Sequence, residues 1–93
     1  MSDFIIPEHI WENKDFSLQE KVIVAVLYER RPDILLIPDI MDATGLNRYT
    51  VVNGASRVFL MSGPTPLITR CYVLKEEKRV LVGYRYTGGN NEK

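Results

Sequence analysis

The spacing of apolar residues in the first third of the chain predicts one long helix. Ser17 and Glu20 have the capping-box spacing that begins a helix, and apolar residues then recur at helical intervals. We therefore expect a first main helix from Ser17 to about Glu29. Its buried stripe is predicted to contain Leu18, Val22, Ala25 and Val26, widened by Ile23 and Leu27.

Breaker residues divide the next segment into short elements. Four apolar residues at 34–37 lie between breakers and predict a brief strand. Pro38 suits the first turn of a second main helix, since proline lacks the N–H that such a position leaves unbonded. Gly45 suits the left-handed conformation that would turn the chain after this helix.

A third main helix is predicted to follow at once. Asn47 is a favourable N-cap, and the apolar spacing continues to about Met61 or Ser62. Gly54 falls inside this helix, where glycine costs about 1 kcal/mol relative to alanine. Either close packing requires this glycine, or the helix is irregular there.

Two extended segments, 67–75 and 79–87, are rich in β-branched and aromatic residues and predict a β-hairpin. If Glu77 and Lys78 form a two-residue turn, Arg70 lies opposite Arg85. Such a pair of like charges is destabilising unless an anion such as phosphate neutralises it. A register shifted by one residue would remove the pair.

The chain ends are predicted to differ from this central region. Residues 1–16 form an apolar arm, residues 17–87 the domain, and residues 88–93 a flexible tail. The arm is expected either to pack on its own domain or to contact a second subunit as a homodimer. Its apolar residues for such a contact are Phe4, Ile6, Ile10 and Trp11.

Charge is distributed unevenly along the chain although the net charge is zero. The first 42 residues hold nine acidic and four basic residues, whereas the remaining residues hold eight basic and three acidic ones. A neutral total argues against indiscriminate nucleic-acid binding. The separation of charge nevertheless allows one basic face to meet phosphate.

Several classes of function lack their sequence signatures. No apolar run approaches the roughly 20 residues that cross a bilayer, and no signal peptide is apparent, so a cytoplasmic protein without a membrane partner is expected. The single cysteine, Cys71, excludes an internal disulfide and a cysteine-rich metal site. His9 is the only histidine and has no evident catalytic or metal-ligand partner. We expect no enzyme, no catalytic residue, no metal and no cofactor.

One segment resembles a known motif. Residues 44–51, Thr-Gly-Leu-Asn-Arg-Tyr-Thr-Val, resemble the T-G-L-S-x-x-T-V core of bacterial and phage helix-turn-helix regulators. With the hairpin after it, the chain resembles winged-helix regulators over about residues 17–87. Within that superfamily it looks most like small enterobacterial activators of the CaiF/GrlA type, on residues 37–53 and 68–73. Fimbrial regulators and winged-helix phage replication proteins are rival families.

The resemblance implies an α+β winged helix-turn-helix, with a three-helix core, a short strand and a C-terminal β-hairpin wing. It implies a sequence-specific transcription regulator that inserts the third helix (about 48–61) into the major groove of double-stranded DNA, with the 67–87 hairpin as wing. Leu46, Val51, Ala55 and Val58 should then point inward. The candidate DNA contacts are Asn47, Arg48, Tyr49, Val52, Asn53, Ser56 and Arg57 on the helix, and Arg70, Lys75, Lys78, Arg79 and Arg85 on the hairpin.

Other interpretations stay open. The basic hairpin tip is equally consistent with a solvated turn that protects a sheet edge. The neutral net charge and the acidic first half favour a winged-helix protein-interaction module without DNA binding. A DNA-binding part of a phage or plasmid replication system is a further alternative.

Overall fold

Residues 6–63 and 66–88 are described by the computed structural model, in which they form four helices and a three-stranded antiparallel sheet. The predicted α+β class is confirmed. The sheet has the strand order β1–β3–β2, and the helices cover one of its faces. The elements are α1 (Glu8–Trp11), α2 (Leu18–Glu29), β1 (Leu35–Leu36), α3 (Ile37–Thr44), α4 (Arg48–Met61), β2 (Ile68–Lys75) and β3 (Lys78–Tyr86).

The first main helix, α2, has the predicted bounds, and four of the six residues predicted for its buried stripe are buried: Ile23, Ala25, Val26 and Leu27. The capping box is formed: Glu20 N donates to Ser17 Oγ at 3.2 Å, and Ser17 N donates to Glu20 Oε1 at 2.8 Å. Leu18, predicted to be buried, is 62% exposed. Because α1, α3, α4 and β3 all pack against α2, burial instead covers five successive residues, from Ile23 to Leu27.

The segment from β1 to α4 follows the predicted order. The apolar run at 34–37 gives a strand of only two residues, and α3 begins at Ile37, one residue before Pro38. Gly45 ends α3 with a φ of +76°, the left-handed conformation expected there. Asn47 Oδ1 accepts a hydrogen bond from Thr50 N at 2.8 Å and thereby caps α4.

Helix α4 continues without interruption through Gly54. A Cβ at this position would lie 2.9 Å from Ile23 Cδ1 and 3.6 Å from Glu20 Cγ, both on α2. Real Cβ atoms do not approach other atoms that closely. Close packing of α4 on α2 is therefore the reason for the glycine, and the alternative of an irregular helix is wrong.

The predicted hairpin exists, but its predicted register is wrong. The turn is Glu76–Glu77, with φ values of +52° and +65°, so Lys75 and Lys78 form the last pair. Relative to a Glu77–Lys78 turn the register is shifted by two residues at the tip, and an irregularity after Cys71 reduces this to a one-residue shift at the base of the hairpin. As a result Arg70 lies opposite Tyr84, and Arg85 lies opposite Thr69.

The N-terminal arm packs at least partly on its own domain. Ile10 is fully buried in the core and Ile6 packs against it, so these residues are occupied within the chain. Trp11 is half exposed, while Phe4 lies outside the described residues.

The boundary predicted for the flexible tail, at residue 88, lies too early in the chain. Gly88 is buried, and its N–H donates to Leu67 O at 3.0 Å. Residues 89–93 of the predicted tail lie outside the described residues. None of the helices in the described ranges combines the length and the apolar character needed to span a bilayer.

Candidate functional site

Helix α4 has an apolar inner face and a polar outer face, as its sequence spacing predicts. Val51, Ala55 and Val58 are completely buried in the core. The predicted contact residues on the first half of the helix lie on the other side. Asn47, Arg48, Tyr49 and Asn53 are exposed, whereas Val52 and Ser56 are half-buried. The first half of α4 thus presents a row of hydrogen-bonding side chains on a helix that the core holds in place.

A groove runs between the first turn of α2 and the outer face of α4. Its volume is about 240 Å³, and its walls include Gln19 from α2 with Tyr49 and Asn53 from α4. Gly54 forms part of the wall between the two helices. Gln19 was not predicted as a site residue. Only the packing of two helices that are distant in sequence brings it beside α4.

Arg57, one of the predicted DNA contacts, makes hydrogen bonds within the protein, and its side chain is 47% exposed. Its Nη1 donates to Glu20 Oε1 at 2.5 Å and to Asp15 O at 2.9 Å. Glu20 is only 7% exposed and already accepts the capping hydrogen bond from Ser17. Arg57 therefore lies on the side of α4 that faces α2 and fixes the two helices together.

The basic residues of the hairpin do not form a single row. Successive side chains of a strand point to opposite faces, so Arg70 and its partner Tyr84 face α4, whereas Arg85 and Thr69 face away. Cys71 is on that outer face with Arg85. Burial raises the pKa of the Cys71 thiol, and the nearby Arg85 guanidinium opposes the rise.

At the tip of the hairpin, cations remain exposed. Lys75 and Lys78 are directly opposed across the last pair of the ladder. The Arg79 guanidinium lies 4.6 Å from the centre of the Tyr72 ring. Opposed like charges thus occur between Lys75 and Lys78 at the solvent-exposed tip, and not between Arg70 and Arg85 as predicted.

The base of the hairpin meets α4 at a polar cluster, which we call the helix–sheet junction and define as Arg48, Ser56, Arg70 and Tyr84. The Arg70 guanidinium lies 4.6 Å from the centre of the Phe59 ring of α4. Tyr84 is completely buried, and this burial raises the pKa of its phenol. The Ser56 side chain and the guanidinium groups of Arg70 and Arg48 lie close enough to oppose that rise.

The described ranges contain no group of three or more His, Cys, Asp or Glu side chains that could hold a metal ion. His9 Nε2 instead shares a hydrogen bond of 3.3 Å with the Tyr86 hydroxyl, and its ring packs edge-on against Tyr28. Comparison of the chain with models of protein families, with curated proteins and with solved structures finds no match.

Proposed function

We propose that the chain is a winged helix-turn-helix regulator that binds specific DNA sequences. Helices α3 and α4 would form the helix-turn-helix, joined through the left-handed Gly45, and the β2–β3 hairpin would be the wing. The order of elements and the central position of β3 in the sheet support this proposal. The site of action would be the cytoplasm.

The observation that carries the proposal is the outer face of α4. This helix has 14 residues and is therefore about 21 Å long, and no element among the described residues covers the outer side of its first half. The major groove of DNA is about 12 Å wide and admits one such helix. Arg48 can bind a guanine edge through two hydrogen bonds, and Asn47 or Asn53 can bind an adenine edge in the same way.

The balance of charge supports specific rather than general binding. Arg48 is the one cation on the outer face of α4 within the described residues, because Arg57 is paired with Glu20. Further positive charge comes from Arg70 and from the tip of the hairpin, whereas Arg85, also predicted as a DNA contact, faces away from α4 and is left out of this interface. Few phosphates can therefore be neutralised, and base contacts would have to supply much of the selectivity.

A homodimer is part of this proposal, because one domain of this size buries only about 600–1,000 Å² on DNA. The arm contributes less to such a dimer than its sequence suggested. Ile6 and Ile10 are engaged within their own chain, which leaves Trp11 as the exposed apolar side chain among the described residues of the arm.

The test is a comparison of two arginine variants. A duplex selected by the wild-type protein from a randomised pool would be titrated in fluorescence anisotropy. Arg48→Ala should weaken binding by about tenfold or more, since a two-bond arginine–guanine contact is worth about 1–3 kcal/mol. It should also relax the preference at one base pair.

Arg30→Ala is the matched control. Arg30 is also exposed but caps the far end of α2, about 15 Å along the helix axis from Glu20. The Arg30→Ala change removes the same charge at a position distant from α4, so specific binding should be nearly unchanged. Equal losses for the two variants would contradict the proposal.

A protein-interaction module is the second candidate, and the hairpin favours it. Val73, Leu74 and Val80 are exposed apolar residues near the tip, and Leu74 is 76% exposed. Such a surface is typical of protein contacts. If the wild-type protein binds no DNA even at about 50 mM salt, where phosphate contacts are strong, that result would favour the protein-interaction module. A role in phage or plasmid replication would use the same DNA interface as the first proposal.

A further inference from the structure

Arg70 occupies an unusual position for an arginine. It lies on the face of β2 that meets α4, with its guanidinium against the Phe59 ring. Its Nε is buried and has no hydrogen-bond partner among the described residues. The ion pair within the described ranges joins Arg57 to Glu20, so no carboxylate there neutralises Arg70. A partly buried charge without a counterion is costly, which raises the question of what partner is missing.

Arg70 belongs to a cluster of polar groups around Tyr84 that are suited to bind an anion. Tyr84, its register partner on β3, is completely buried, and its hydroxyl has no hydrogen bond of good geometry among the described residues. The Ser56 hydroxyl of α4 lies beside the Tyr84 hydroxyl, and Arg48 adds positive potential from the first turn of the helix. Hydroxyl and guanidinium groups can all donate to an oxyanion, and none of the four members of the junction is acidic.

We propose that the helix–sheet junction binds one phosphate group, held by the Arg70 guanidinium and the Ser56 hydroxyl, with Tyr84 as the floor that positions both. The flat guanidinium, stacked on Phe59, would direct its outer nitrogens toward two phosphate oxygens. This inference rests on the proposed function, in which the phosphate belongs to the DNA backbone beside the bases read by α4. Arg70 would then anchor the protein without reading sequence.

The experiment uses a matched pair of variants on one sheet. Arg70→Gln removes the charge at the junction, and Arg85→Gln removes the same charge from the opposite face. Binding to a selected duplex and to a scrambled duplex would be measured from about 50 to 200 mM salt. For Arg70→Gln, the slope of log affinity against log salt should flatten by about 0.9, the value for one phosphate contact. Affinity for both duplexes should fall by the same factor. Arg85→Gln should change neither quantity.

Ser56→Ala gives a second measurement that does not depend on removing a charge. The change is compatible with a helix and should reduce affinity by about threefold to tenfold, as expected for one lost hydrogen bond. The salt slope should stay as it is in the wild type, because serine carries no charge. Thermal unfolding followed by circular dichroism verifies that each variant is folded.

The outcomes separate this inference from the proposed function. If the wild type binds DNA but Arg70→Gln behaves like Arg85→Gln, the phosphate site is refuted and the DNA-binding proposal stands. If the wild type binds no DNA, inorganic phosphate is titrated while amide NMR shifts are recorded. Shifts at residues 56, 70 and 84 that vanish in Arg70→Gln would support a site for free phosphate. Absence of these shifts would overturn the site together with the proposed function.

Discussion

Gly54 is the residue at which local preference and packing conflict most directly. In the middle of a helix, alanine is favoured over glycine by about 1 kcal/mol. Here a methyl group would lie 2.9 Å from Ile23 Cδ1, which is itself completely buried. Forcing an extra carbon into a packed core costs about 1–3 kcal/mol, so packing against Ile23 offsets the helix propensity of alanine.

Gly54→Ala should therefore have different effects in two backgrounds. In the wild type we expect the substitution to lower the free energy of unfolding or to leave this energy nearly unchanged. In an Ile23→Val background the interfering Cδ1 is absent, and the same change should stabilise by about 1 kcal/mol, the gain in helix propensity. Urea unfolding of the four proteins measures this difference. Equal effects in both backgrounds would show that the two residues do not interact.

At the scale of single residues, the sequence predicts interactions between residues that are close together along the chain. The Ser17–Glu20 capping box and the Asn47 cap follow from short spacing rules, and both form. The role of Arg57 could not be predicted in this way. Its partner Glu20 lies 37 residues earlier, and only the packing of α4 on α2 brings the two side chains together.

Among the elements, the hairpin shows how a turn and one irregularity together fix the positions of the charges on a sheet. The Glu76–Glu77 turn has positive φ at both central residues, a conformation that usually attracts asparagine and glycine. The two glutamates do not signal such a turn, and nothing in the sequence signals the irregularity after Cys71. The existence of the hairpin was thus predictable from its apolar and β-branched residues, whereas its register was not.

The observed register makes a prediction about the reactivity of Cys71. Arg85 shares the outer face with Cys71 and lowers the pKa of the thiol, whereas Arg70 lies on the other face. Arg85→Gln should therefore raise that pKa further, leave less thiolate and slow alkylation by iodoacetamide at pH 8. Arg70→Gln should not slow it. The rates are measured by mass spectrometry of the intact protein.

The opposite ranking of the two variants would place Arg70, and not Arg85, beside the thiol. The faces of the hairpin would then be exchanged. In that case the assignment of Arg70 to the helix–sheet junction would fail as well.

For the molecule as a whole, burial of Tyr84 couples folding to alkaline pH. The phenol has an ordinary pKa of 10.0, and burial raises this pKa in the folded protein. Above about pH 10 the unfolded chain loses this proton while the folded protein keeps it, so ionisation favours unfolding. The stabilising effect is complete below pH 10 and is lost as pH rises through the higher folded value.

The free energy of unfolding should therefore fall as pH rises above about 10, and it should fall less in Tyr84→Phe. Tyr49→Phe is the matched control because Tyr49 is 78% exposed. It should retain the wild-type pH dependence. Urea midpoints measured across this range make the comparison. A Tyr84→Phe curve parallel to the wild type would contradict the coupling.

The distribution of charge over the whole molecule also limits the surface that could bind DNA. A neutral chain with its basic residues concentrated after residue 42 can bind DNA only through a limited face. That face would combine the polar first half of α4 with the junction at the base of the hairpin. The face of α4 was predictable from helical periodicity. The junction was not, because it depends on the register of β2 and β3.

The central claim is that this face recognises particular DNA sequences. Its most direct test is an anisotropy titration of the wild-type protein against a duplex selected from a randomised pool and against a scrambled duplex of the same composition. We predict that the selected duplex binds at least about tenfold more tightly and that both affinities fall as salt rises. Equal affinity for the two duplexes, or no binding to either at about 50 mM salt, would contradict the account.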